Sequence, residues 1–245
     1  MLHCLEGLDH EKENSFMQLL LIFFIFLCGK VQLVAQPTKV IPLRFKPYFE
    51  SNSSKLLDTT FHFNNTDTIH FETLRFYISG IELQNQSKTV WKEKNSFHLV
   101  DAAQEKSLTL LLTIPKKLEC DTILFHLGID SNTNTAGVLG GDLDPTKGMY
   151  WTWQSGYINV KLEGTSNLVN TPSHSFEFHL GGYLNPFQTL QTITIPCIPK
   201  EELTLSIDLK QFIELANLTG THQVMSPNEE AVKLSKLFAN CFSGK

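Results

Sequence analysis

The sequence predicts an all-β protein, an antiparallel β-sandwich or barrel-like sandwich with one or two short helices near its C-terminus. Three observations predict this class. The 245 residues are 42% hydrophobic and include 18 phenylalanines, which provides a core and favours strands. Apolar and polar side chains alternate along several short segments. Turn-forming sequences such as NQSK, NTNTAG and LDPTKG separate these segments.

The predicted strands follow one another through most of the chain. Leu74, Phe76 and Ile78 alternate with more polar residues, and the alternation changes phase after Gly80. A phase change at a glycine predicts a β-bulge at that position. Further alternating segments lie at residues 123–127, 158–162, 176–180 and 203–207.

Two helices are predicted near the C-terminus. Asp208 followed by Gln211 resembles a capping box and opens a short helix. Ser226 is the predicted N-cap of the second helix, with Pro227 at its first position and Glu229 at its third. The predicted buried face of this helix comprises Ala231, Leu234, Phe238 and Cys241.

Residues 1–36 are predicted to be a signal peptide. The apolar run from Leu19 to Leu27 is shorter than the ~20 residues that a membrane-spanning helix needs. Acidic residues before this run are atypical of a signal, so a translation start at Met17 is preferred, and Ala35 lies near a suitable cleavage point. We therefore expect residues 37–245 to form a single exported domain, periplasmic or secreted, with no membrane span in the mature chain.

Charge and motifs exclude several function classes. The chain has 20 Lys and Arg against 25 Asp and Glu, which argues against the broad basic surface of a nucleic-acid-binding protein. The sequence contains no GxSxG, HExxH, CxxC or phosphate-binding glycine loop. We therefore expect a binding protein rather than an enzyme.

Three cysteines remain in the predicted mature chain. Cys120 and Cys197 lie in similar settings, each just before a strand-like run, and we expect these two to pair while Cys241 stays free. Export would permit such a disulfide. Three buried free thiols are the alternative.

The triplet Phe-His-Leu occurs three times, at residues 97–99, 125–127 and 178–180. In a strand, the histidine of each triplet points to the face opposite its phenylalanine and leucine. If these strands are neighbours, the imidazoles of His98, His126 and His179 converge and suit copper or zinc. The alternative is that each histidine lies on a solvated sheet face.

The decapeptide from Gly148 to Tyr157 contains two of the three tryptophans, Trp151 and Trp153. In an extended segment these side chains point the same way, together with Met149. The segment is either a bulky core strand or a ligand or redox site. The preceding run from Asp130 to Asn134 begins like a calcium loop but departs from that pattern later, so a turn stabilised by Asx hydrogen bonds is predicted there.

The run FHLGIDSNTN…GDLDPTKGMYWTWQSGYINVKLEG, followed by FEFHLGGY, resembles the MbnP-like family of exported bacterial copper-binding proteins. LRFYISGIEL and FHLVDA upstream, and the tail HQVMSPNEEAVKLSKLFANCF, fit the same pattern. The resemblance covers residues 39–243, and residues 148–164 are its most specific part.

This resemblance implies a β-sandwich that binds copper, as Cu(I) or Cu(II), for uptake or storage. It implies two histidine ligands and a tryptophan oxidised to kynurenine by a partner di-haem peroxidase of the MauG type; an outer-membrane receptor is a further expected partner. In this sequence it points to His98 and His179 as ligands, His126 as a further candidate, and Trp151 and Trp153 as candidates for oxidation. The alternative function is an extracellular module that recognises a glycan or a protein through its Trp-rich segment.

Overall fold

The computed structural model describes residues 36–50, 56–63, 66–197 and 201–244. The apolar run and Met17 of the predicted signal peptide lie outside these residues. Within the described part of the chain, no helix is long and apolar enough to cross a membrane.

Strands dominate the described residues, as the alternating patterns predict. Their bounds are β1 Thr38–Tyr48, β2 Thr60–Phe63, β3 Asp67–Asn85, β4 Lys88–Lys92, β5 Phe97–Asp101, β6 Thr109–Pro115, β7 Thr122–Leu127, β8 Tyr150–Trp151, β9 Gly156–Ser166, β10 Ser175–Gly181, β11 Gln191–Pro196, β12 Leu203–Asp208, β13 Gln223–Val224 and β14 Phe242–Gly244. The helices are α1 Ser131–Thr135, α2 Leu209–Ala216 and α3 Glu229–Ala239.

The strands form two sheets that pack as a sandwich, so the predicted fold class is confirmed. The smaller sheet has the order β14-β12-β1-β6, and the larger has the order β11-β7-β3-β9-β10-β13. Strands β2, β4 and β5 also pair with β3. Most pairs are antiparallel, but β1 pairs with β12 and β10 with β13 in parallel.

The long strand β3 organises the larger sheet. Its first half pairs with β9, and its second half pairs with β7, with a register shift between Ser79 and Glu82. Gly80 lies in this shift with a φ of +59°, a conformation that glycine adopts without steric cost. The predicted bulge is therefore confirmed, and it redirects β3 from one partner strand to the next.

Two apolar clusters lie on opposite faces of the larger sheet. The inner face, which looks toward the smaller sheet, carries the main core and its network of phenylalanine rings, including Phe76, Phe178 and Phe238. The outer face carries a smaller cluster around Tyr77 and Tyr157 that the segment 129–157 covers.

The C-terminal helices fit the predictions with one correction. Asp208 caps α2 by accepting a hydrogen bond from the backbone N–H of Gln211, as predicted. Helix α3 begins two residues later than predicted, because Asn228 rather than Ser226 is its N-cap and accepts from the N–H of Ala231. Asparagine is as good an N-cap as serine, so both positions suit the sequence pattern. The predicted face of Ala231, Leu234 and Phe238 is buried.

Candidate metal centre

His179 lies on β10 and points to the outer face. Its cross-strand partner on β9 is Lys161, and its neighbours Phe178 and Leu180 point into the main core. The side chain is only 9% exposed, and its Nε2 lies 2.7 Å from Oε1 of Glu163. Because an ionised carboxylate only accepts hydrogen bonds, Nε2 carries the proton in this pair. The second ring nitrogen, Nδ1, is then free to act as a metal ligand when the ring is neutral.

Glu163 is held as a carboxylate. The hydrogen bond from His179 lowers the pKa of Glu163 from 4.5 to about 2, although burial of the group acts in the opposite direction. Thr73 and Lys161 also favour the charged form, and the Lys161 Nζ lies 3.4 Å from Oε1. A glutamate that fixes the tautomer and orientation of an imidazole is the usual companion of a metal-binding histidine.

Trp151 lies against the same strand as His179. A Cβ atom built on Gly181 would come within 2.7 Å of the Trp151 ring and of the Tyr157 carbonyl oxygen, so the indole rests directly on the β10 backbone. Gly181 follows His179 by two residues on the same strand, a distance of about 6.5 Å along an extended chain. The indole of Trp151 and the imidazole of His179 therefore both lie on the outer face, over the same stretch of β10.

Trp153 extends this aromatic surface toward solvent. Its ring centroid lies 5.7 Å from that of Trp151, and 65% of the residue is exposed. The next side chain, Gln154, has a buried Oε1 that no described residue bonds. Most buried polar atoms in proteins have a hydrogen-bond partner, so the Gln154 oxygen is an exception in this segment.

Buried amides hold the Trp segment against the sheet. Asn134 donates to the carbonyl oxygens of Ile129 and Asp130 and accepts from the N–H of Tyr157. Asp130 caps α1 through bonds from the N–H and hydroxyl of Thr133. These are the predicted Asx interactions, and they occupy the carboxylate that a calcium loop would need.

His98 forms a second imidazole–glutamate pair elsewhere. On β5 its Nε2 lies 2.8 Å from Oε2 of Glu93, and Ser96 donates to the same carboxylate. Burial raises the pKa of Glu93, but the bonds from His98 and Ser96 outweigh this effect, so the net pKa is lowered. His98 is opposite Ile78 on β3, which places it on the inner side of the sheet.

The predicted shared site of His98 and His179 is not formed. The two residues lie on β5 and β10, which are three strand spacings apart in the larger sheet. Along the strand direction, His98 is level with Ile78 of β3, whereas His179 is level with Arg75 of β3 through Lys161 of β9. This places them about 17 Å apart and on opposite faces. The prediction was wrong because equal spacing within a triplet does not determine which face of the sheet the histidine occupies.

His126 lies in a third environment, separate from those of His179 and His98. Its Nδ1 lies 3.0 Å from the hydroxyl of Thr192, and its ring covers Gly80 so closely that a Cβ there would meet it at 2.6 Å. Burial lowers the pKa of this imidazole and so favours its neutral form. Opposite Ser79 in register, it lies on the outer face about 14 Å from His179.

The MbnP family pattern matches residues 38–229. The chain belongs to the MbnP family. The structure of MbnP from Methylosinus trichosporium is similar, with a TM-score of 0.59 at 15% sequence identity, and the similarity covers 80% of this chain and 87% of that one. No curated protein matches the sequence.

In this MbnP-family chain, sequence reasoning named the histidines and tryptophans but missed the residues that position them. Glu163, Glu93 and Gly181 were not predicted. The signal for Glu163 was available, because it alternates with Leu162 on β9 and so shares the outer face with His179. Met149, a predicted companion of the tryptophans, is fully buried in the outer cluster. Among the described residues, no group of three or more His, Cys, Asp or Glu is placed to hold a metal ion.

Proposed function

We propose that this protein is an exported copper-binding protein that serves copper uptake or storage, and that His179 is its principal protein ligand. Membership of the MbnP family supports the copper assignment. The observation that carries the residue assignment is the grouping of His179, Glu163 and Trp151 on one face of β9 and β10. His98 also has a carboxylate partner, but it points to the inner side of the sheet, away from the face that carries Trp151.

The residues present fit copper in part. Imidazole nitrogen suits both Cu(I) and Cu(II), and Glu163 orients the ring so that Nδ1 is available. One imidazole with its glutamate is too small a donor set for tight binding. The site therefore needs a further donor that the unmodified side chains do not supply.

Oxidation of Trp151 to kynurenine supplies that donor in this proposal. Kynurenine has an amine and a ketone that indole lacks, and Trp151 rests on the strand of His179. Trp153, which is exposed, is the second candidate. The oxidising partner implied by the family is a di-haem peroxidase of the MauG type, and an outer-membrane receptor is a candidate recipient of the copper.

The proposal is tested by mass spectrometry and copper titration of the protein from its native host. We expect the tryptic peptide 148–161 to be heavier by about 4 Da, because conversion of one indole to kynurenine adds that mass. We also expect one tightly bound copper ion in wild type and weaker binding in Trp151→Phe. Trp153→Phe tests the second candidate for oxidation in the same way. Failure of native wild-type protein to bind copper would refute the proposal.

A second function, recognition of a glycan or protein partner, is favoured by one specific observation. Trp153 and Leu184 are exposed by 65% and 62%, next to the covered Trp151 and the end of β10. Exposed aromatic surface of this kind is typical of binding sites. A protein that binds no copper but loses partner binding on Trp153→Ala would support this function instead.

A further inference from the structure

Two cysteines distant in sequence meet at one edge of the larger sheet. Cys120 lies just before β7, and Cys197 lies just after β11. These strands pair antiparallel with Thr122 opposite Pro196, and the backbone N–H of Cys197 donates to the carbonyl of Asp121 at 2.8 Å. The register therefore brings the two cysteines together at the start of one strand and the end of its neighbour.

The two thiols contact each other. Both are free thiols that lie close enough to interact with each other, Cys120 buried and Cys197 partly buried. The third thiol has a different partner, because Cys241 donates to the carbonyl oxygen of Leu237 at 3.2 Å. Only Cys120 and Cys197 are thus placed, among the described cysteines, to react with one another.

We propose that Cys120 and Cys197 form a disulfide bond during folding, closing a loop that contains the candidate metal centre. The chain from Cys120 to Cys197 includes Trp151, Glu163 and His179. A cross-link that closes a long loop stabilises the folded state mainly by restricting the unfolded chain. The bond would fasten the start of β7 to the end of β11.

The oxidant is a disulfide of a thiol–disulfide oxidoreductase or of oxidised glutathione. One cysteine thiolate attacks the oxidant's disulfide, forming a mixed disulfide and releasing one thiolate. The second cysteine then attacks the mixed disulfide, forming the S–S bond and releasing the other thiolate. The two S–H protons pass to the two thiolates that the oxidant releases, so the protein loses two electrons and the oxidant gains them.

The folded environment explains why the bond forms during folding. Burial raises the pKa of Cys197 to about 12 and also raises the pKa of Cys120. Because the thiolate is the reactive form, two buried thiols in the folded protein react slowly. In the unfolded chain both thiols titrate near their usual value of about 8.5 and exchange readily.

Oxidative refolding tests the proposal without depending on export or copper. The full-length chain is denatured, reduced, refolded with reduced and oxidised glutathione, alkylated and digested with trypsin. We expect the peptides 118–147 and 162–200 to be recovered linked and two hydrogens lighter than their sum, with Cys241 alkylated on peptide 237–245. Cys241→Ser should preserve the link.

Recovery of both peptides as separate alkylated species would overturn the proposal, as would a link to Cys241. Cys120→Ser should leave Cys197 alkylated; if this variant fails to fold, mapping of wild type and Cys241→Ser still decides the question. A protein that forms the link yet binds no copper refutes the proposed function alone. A protein that binds copper without the link refutes the disulfide alone.

Discussion

The triplets at residues 97–99 and 178–180 have identical sequences and different surroundings. Each places its histidine 2.7–2.8 Å from a glutamate. In the β10 triplet, phenylalanine and leucine enter the main core and His179 points to the outer face beside Trp151. In the β5 triplet, Phe97 and Leu99 join the outer cluster and His98 points to the inner side. The comparison teaches that strand register, rather than the local motif, decides which face of the sheet each histidine occupies.

The largest expected difference between the two regions lies in their glutamates. Glu163→Gln should destabilise the protein by about 3 kcal/mol at pH 7, because a pKa lowered from 4.5 to about 2 represents about that much differential stabilisation of the charged form. Glu93→Gln should cost less, since burial opposes its hydrogen bonds more strongly. Urea unfolding of both variants measures the difference.

The stabilisation of the fold by the Glu163 carboxylate should depend on pH. A carboxylate with a lowered pKa stabilises the fold above its unfolded-state pKa, and this stabilisation is lost as the pH falls from about 4.5 to about 2. The gap between wild type and Glu163→Gln should therefore close in that interval. A gap that is equal at pH 7 and pH 2 would show that the carboxylate charge is not the cause.

Disturbing the contact between Trp151 and β10 should lower the stability of the protein by a smaller amount. Gly181→Ala should destabilise the protein by about 2 kcal/mol, because the new Cβ would lie 2.7 Å from both the indole and the Tyr157 carbonyl oxygen. Gly140→Ala is the matched control, since its Cβ would have no neighbour within 4 Å. Equal thermal stabilities for the two variants would contradict the close approach of Trp151 to the strand.

The smallest expected effect concerns helix α3, which packs against β10 and not on the outer face. Asn228→Ala should cost about 1 kcal/mol, the usual loss of an N-cap, because the Ala231 N–H loses its acceptor. Ser226→Ala should leave stability nearly unchanged. Chemical denaturation of the pair distinguishes the observed cap from the one that the sequence pattern predicted.

The sequence predicts the architecture well and the site only in part. Alternation identifies the strands around Phe76, Ile158 and Leu205, and Gly80 correctly marks the bulge, because these signals are local. Convergence of His98 with His179 depends on strand order and face, which no local pattern contains. The same holds for Glu163, whose role depends on the pairing of β9 with β10.

Copper affinity of His179→Ala and His98→Ala, measured side by side by competition with a chelator, tests the central claim most directly. Both variants remove an imidazole that is bonded to a glutamate, so they differ mainly in the surroundings of that imidazole. His179→Ala should bind copper at least about 100-fold more weakly than wild type, because it removes a ligand and not merely a supporting residue. His98→Ala should bind like wild type. Equal losses in both variants, or a loss confined to His98→Ala, would contradict the assignment of the metal centre to the outer face of β10.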